Sequence, residues 1–247
     1  MTGVQLSSYD WHYIWRHQNR KKILPDFQLN LFLQAKRSHA GKSPRGNIKK
    51  AGILGDYWKF DITPHQQLAL ERMSDKLHGK ALVCYASPAF HTQAALYEHT
   101  KNQSIVLNST FPPVQKMKGH GAWYYTLGGV SGVANPDYVK IEVEPLQTQI
   151  EKLVLQNERT NDAQTSLERL AKAIVLSAGE ISEPAPVDTW FQQLLSRVDY
   201  NVSEFFEDAF QDDDDYIAAV KAYLTVKSFC TAYHLEWYVL GKAQQFA

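Results

Sequence analysis

One segment constrains the fold more than any other. In Phe27-Gln28-Leu29-Asn30-Leu31-Phe32-Leu33-Gln34-Ala35-Lys36, Phe27, Leu29, Leu31 and Leu33 alternate with Gln28, Asn30, Phe32, Gln34 and Lys36. A period of two is resolved into two faces only by an extended strand. Upstream, Tyr9 to Trp15 is rich in aromatic and β-branched residues, and as a strand it would send Asp10, His12 and Ile14 to one face. A basic connection, Arg16 to Lys22, joins the two. Downstream, Tyr57 to Ile62 leads into Thr63-Pro64, an N-cap followed by proline at the first helical position. The helix that starts there carries Leu68, Met73 and Leu77 and ends at His78-Gly79. Ala81 to Ala86 is nearly all apolar, as a strand covered on both faces must be. A helix crossing between parallel strands takes the right-handed route, so this strand should lie beside an earlier one.

The remainder divides by character. Arg37 to Gly55 combines Gly, Pro, Ser and basic residues and predicts a mobile loop. Ile105 to Asn108, Trp123 to Leu127 and Tyr138 to Val143 are strand-like pieces separated by turns. After Pro145 the pattern is helical, with Leu167, Leu170, Ala171, Ile174 and Val175 on one face and a last helical stretch from Tyr216 to Tyr238. The expected architecture is α/β: a mixed sheet flanked by helices over residues 1–145, then a mainly helical region over 146–247. Charge follows the same division. Residues 1–140 hold 18 Lys and Arg against 8 Asp and Glu, and residues 141–247 hold 8 against 18, so a net charge of zero conceals halves of +10 and −10. A basic half suits a polyanion. Packing of the two halves on each other is the plainer explanation.

Composition excludes several classes. With 44% hydrophobic and 21% charged residues the chain is not disordered. Its two cysteines, Cys84 and Cys230, make neither a disulfide framework nor a four-thiolate zinc site. No apolar run approaches the ~20 residues of a membrane span, and the first residues lack a signal-peptide layout. A soluble, cytoplasmic protein is expected.

The chemistry concentrates on the first two strands. Hard divalent cations take oxygen ligands, and a carboxylate from Asp10 with an amide oxygen from Gln34 would supply them from neighbouring strands. Lys36 shares the face of Gln34, where its ammonium would orient an attacking water or balance phosphate charge. Asp26, after Pro25, is the rival carboxylate, less well placed because it follows a proline at a turn or strand edge.

SYDWHYIW, LFLQAKR, the helix TPHQQLALERM and the strand ALVCYASPAF together resemble the PD-(D/E)XK nuclease superfamily, in the variant with glutamine in place of the second acid. The resemblance covers roughly the first 90 residues. It implies a restriction-endonuclease-like fold and a metal-dependent phosphodiesterase acting on double-stranded DNA with Mg²⁺ or Mn²⁺. Asp10 and Gln34 would hold the metal, and Lys36 would be the catalytic lysine. Gln67 matches the helix glutamine of such relatives and would support the site or touch the nucleic-acid backbone. Restriction or anti-phage defence is the associated setting. The family usually adds an acid from a helix ahead of the first strand, and only Met1 to Ser8 precede Tyr9. Either the chain is a shortened form, or that acid comes from elsewhere, or metal is held weakly.

Arg37, Lys42, Arg45, Lys49 and Lys50 follow Lys36 and would neutralise DNA phosphates; a solvated charge run is the bland alternative. The acidic helical region would bind a protein partner or mediate self-association. Cys84 with His91 as a thiol–histidine pair is weaker, because Cys84 sits in an apolar strand. His120 between two glycines is a lone histidine, and Gly128 to Gly132 fits neither a nucleophile elbow nor a phosphate loop. The rival functions are a catalytically inactive, nuclease-like DNA-binding or assembly subunit, and a helical interaction protein whose sheet is only a scaffold.

Overall fold

The alternating run folds as a strand, and Leu29, Asn30, Leu31, Phe32 and Gln34 are buried, so side chains of both its faces are covered; toward its end it meets water at Ala35. A computed structural model describes residues 6–7, 27–77, 79–156, 163–179, 185–206 and 214–241. Their strands are β1 (Leu6–Ser7), β2 (Phe27–Ala35), β3 (His39–Gly41), β4 (Tyr57–Asp61), β5 (Ala81–Pro88), β6 (Ser109–Thr110), β7 (Ala122–Tyr125), β8 (Ser131–Asn135), β9 (Val139–Glu142) and β10 (Glu236–Gly241). The helices are α1 (Gly46–Lys50), α2 (Pro64–Lys76), α3 (Gln93–Lys101), α4 (Leu146–Gln156), α5 (Ala163–Gly179), α6 (Pro186–Phe206) and α7 (Asp214–Tyr233). The protein is mixed α/β. Its described residues form two compact units: a helical unit with those up to Phe32, those in 75–81 and those from Leu153 onward, and a sheet unit with Leu33–Ser74 and Leu82–Lys152.

In the helical unit β1 pairs antiparallel with β10, and β10 neighbours β2. This explains the buried polar residue Asn30. Trp237 on β10 donates from Nε1 to Asn30 Oδ1 at 3.0 Å, and its ring stacks on Phe32 with centroids 6.2 Å apart. Helix α7 packs on α5 and α6; against α6, Phe229 and Tyr233 meet Phe191, the three rings lying 4.4 to 6.3 Å apart. The helical stretch read to Tyr238 stops at Tyr233. His234 takes a left-handed φ of 55°, and the aromatic, β-branched Glu236-Trp237-Tyr238-Val239 runs on as β10.

The placement of β5 follows expectation. The Asn30 amide donates to Lys80 O at 3.4 Å and the Lys36 amide to Ala86 O at 2.8 Å. Partner numbers rise together, so β2 and β5 run parallel, with α2 in the connection between them. The Thr63 carbonyl accepts the Gln67 amide at 2.9 Å, the first helical bond of α2.

In the sheet unit β5 also pairs with β6, and a second sheet of order β3-β4-β7-β8-β9 is antiparallel throughout. Phe60, Leu70, Met73, Tyr85, Trp123 and Tyr125 are fully enclosed in this unit. Two sequence expectations change here. Arg37 to Gly55 is not simply a loop: it contains β3 and α1, because Ile53 is buried with Tyr124 and Val133, and Ile48 packs against that cluster. Ile105 to Asn108 is a 3-10 turn over Val106–Asn108, not a strand. The glycine-rich stretch after Tyr125 is a turn into β8. Gly129 has φ +61°, and a Cβ there would lie 2.5 Å from Ser109 O, so only glycine fits. Among the described residues no helix is long and apolar enough to cross a membrane.

Candidate active site

The site is built at the C-terminal end of β2. Strand periodicity carries Gln34 and Lys36 on one face. Gln34 is 2% exposed and Lys36, one residue past the strand, is half-buried. A face carrying these two residues is therefore not a solvated strand surface.

The Lys36 main chain is held on both sides. Its N–H donates to Ala86 O, and its carbonyl accepts from Ser87 Oγ at 3.0 Å. Ser87 is buried, with the Tyr125 hydroxyl 2.8 Å from its Oγ; that hydroxyl donates to Pro88 O at 2.7 Å. Ser38 Oγ donates to Phe90 O at 3.1 Å. The chain leaving β2 is thus fixed to the end of β5 over three residues.

The Lys36 ammonium is held from two directions. Nζ donates to Gln66 Oε1 at 3.1 Å and stands 5.3 Å from the centroid of the Tyr85 ring. Burial lowers its pKa below the usual lysine value, and the carboxylate of Asp61 opposes that shift. Asp61 closes β4 just ahead of α2, is largely exposed, and pairs with Lys59 at 2.9 Å. That hydrogen bond is the main cause raising the Lys59 pKa.

Gln67 lies elsewhere. Successive residues of a helix diverge by about 100°, so Gln66 meets Lys36 while Gln67 turns into the core, 5% exposed. Its Nε2 donates to Glu71 Oε1 at 2.6 Å and to Val114 O at 2.8 Å, and its Oε1 accepts from the Tyr85 hydroxyl. Both amide protons are committed, so Gln67 supports rather than touches.

Asp10 and Asp26 lie outside the described residues. Arg37, Lys42, Arg45, Lys49 and Lys50 are all exposed or partly so, the last two in the final turn of α1. Gln66, Asp61 and Tyr85 do not stand out in the sequence. The first had a signal, being the other half of the Gln66-Gln67 pair; the others meet Lys36 only through the fold.

The donors fit a hard cation in kind. Gln34 offers an amide oxygen, Asp61 is the carboxylate acting on Lys36, and among the described residues no group of three His, Cys, Asp or Glu is placed to hold a metal. Other candidates recede. Cys84 is fully buried, its thiol pKa pushed up by burial, and His91 is exposed. A cleft of about 330 Å³ between Val106, Leu107, Val130 and Leu146 contains none of the residues expected in the site.

Comparison with protein-family models, with curated proteins and with solved structures finds no match.

Proposed function

We propose that the chain is a divalent-metal-dependent DNA endonuclease of the PD-(D/E)XK type with a restriction-endonuclease-like sheet. One observation carries this reading: the buried polar face of β2 carries Gln34 and then Lys36, whose ammonium is held by Gln66 and the Tyr85 ring. Burying an amide and half-burying an ammonium costs free energy that an ordinary strand avoids, and such arrangements cluster where charge is handled.

In this reading Gln34, with Asp10, would hold Mg²⁺ or Mn²⁺. The ion would supply positive charge where the phosphate gains negative charge during hydrolysis. Lys36 faces a non-bridging phosphate oxygen or orients the attacking water, from an ammonium that needs no reorganisation when the reaction occurs. Arg37, Lys42, Arg45, Lys49 and Lys50 meet backbone phosphates, which supplies affinity without sequence preference. A role in prokaryotic restriction or anti-phage defence rests on the family resemblance alone.

The test is incubation of the purified chain with supercoiled plasmid and Mg²⁺ or Mn²⁺. Nicked or linear product that disappears with EDTA supports the enzyme. Plasmid retarded on a gel but uncut with either ion supports the second reading, a nuclease-like DNA-binding subunit. That reading is favoured because, among the described residues, no group of three His, Cys, Asp or Glu is placed to hold a metal. Absence of any DNA interaction contradicts both.

The basic run makes its own prediction. Replacing Arg45, Lys49 and Lys50 together by alanine should weaken duplex binding about equally for unrelated sequences. It should also flatten the slope of log affinity against log salt by roughly 0.9 for each phosphate that is no longer neutralised. Fluorescence anisotropy at several salt concentrations reads both. An unchanged slope would assign these side chains to solvent.

A further inference from the structure

A lysine at a reaction centre has a four-carbon stem with large rotamer freedom. Something must set where its ammonium stands. At Lys36 two groups do so, the Gln66 amide oxygen at 3.1 Å and the Tyr85 ring with its centroid at 5.3 Å. A cation within about 6 Å of a ring centroid is attracted by the negative face of the π system, and more strongly where water is excluded.

The Tyr85 ring is itself held in place. It is fully buried on β5 and packs against Phe60 with centroids 5.4 Å apart. Its hydroxyl donates to Gln67 Oε1, and the Gln67 amide is fixed by Glu71 and the Val114 carbonyl. Burial, with the Glu71 carboxylate adding to it, raises the phenol pKa, so the hydroxyl keeps the proton it donates. A chain of contacts therefore runs from Glu71 through Gln67 and Tyr85 to Lys36. It gives a role to a glutamine whose two amide protons are already committed.

We propose that Tyr85 is a positioning residue for Lys36, its ring face acting with the Gln66 amide to set where the ammonium stands, and that Gln67 acts by fixing that ring. The kinetic consequence rests on the nuclease reading; the geometric claim does not.

The test uses the full chain, labelled with ¹³C-lysine, with the Lys36 signal assigned by its loss in Lys36→Arg. Ring current from Tyr85 should place the Lys36 ε-methylene protons upfield of lysines remote from aromatic rings. Tyr85→Phe should keep that displacement and Tyr85→Leu should remove it. In plasmid cleavage Tyr85→Leu should lower kcat by about tenfold with KM for DNA within about twofold, a loss on the scale of one desolvated cation–π contact. Tyr85→Phe should recover most of it.

A Lys36 signal in the unmodified chain at the position of exposed lysines overturns the proposal, and that arm needs no folded Tyr85→Leu. So does a Lys36 signal and a kcat that Tyr85→Leu leaves unchanged. If the unmodified chain does not cut DNA while the upfield signal is present and lost in Tyr85→Leu, the positioning stands and the nuclease reading fails.

Discussion

Replacing Lys36 by alanine is expected to lower metal-dependent DNA cleavage by roughly 10²–10³-fold, the usual cost of removing one preorganised charge or donor from a reaction centre. Binding should survive. The basic residues Arg37, Lys42, Arg45, Lys49 and Lys50 remain in the variant to meet phosphates. Folding should survive too, because the substitution removes an ammonium whose burial is unfavourable, as its lowered pKa indicates. The signature is therefore lost turnover on retained affinity and a thermal midpoint that does not fall. Lys36→Arg should not rescue it. A planar guanidinium does not match a space set for a compact ammonium between the Gln66 amide and the Tyr85 ring. Cleavage by Lys36→Ala within about threefold of the unmodified chain would remove Lys36 from the reaction.

The largest effect on stability is expected from Phe60→Ala. Phe60 is 1% exposed on β4, with its ring 5.4 Å from that of Tyr85 and 6.2 Å from that of Tyr125. Truncating it removes its buried area and leaves a cavity between two large rings, at a cost of about 3–5 kcal/mol. Urea unfolding reads this as a lower midpoint at similar slope. Activity should fall in parallel even under conditions where the variant is folded. Tyr85 stands beside the Lys36 ammonium, and Tyr125 braces the Ser87 hydroxyl that holds the Lys36 carbonyl. A destabilisation below about 1 kcal/mol would mean that the neighbouring rings collapse into the space.

What the sequence made legible follows from how local each signal is. β2 and α2 were readable because alternation and a Thr-Pro start are encoded within a few residues. The burial of the polar face of β2 was not. At Asn30 it depends on Trp237, about two hundred positions away, which meets Asn30 and Phe32 through β10. β10 was itself hidden, since an apolar stretch after a helix reads as more helix until a left-handed residue such as His234 breaks it. The choice between Gln66 and Gln67 turns on rotation about the helix axis, which one residue of offset in the start of α2 would reverse. Ile105 to Asn108 carries strand-like residues but closes as a tight turn, with the Asn108 amide donating to Ser104 O and Ile105 O. The basic segment after Lys36 looked like an open loop because its few apolar residues, chiefly Ile48, Ala51, Ile53 and Leu54, show neither strand nor helix periodicity, and Ile53 is buried only through Tyr124 and Val133, far along the chain.

The most direct measurement is metal-dependent nicking of supercoiled plasmid by the unmodified chain beside Gln34→Leu and Gln34→Glu. If Gln34 presents an oxygen to a catalytic cation, the leucine, close in volume and without a donor, should abolish nicking, and the glutamate should retain it with a tighter metal requirement. Equal nicking by the leucine variant, or none by any of the three at any concentration of Mg²⁺ or Mn²⁺, would contradict the account.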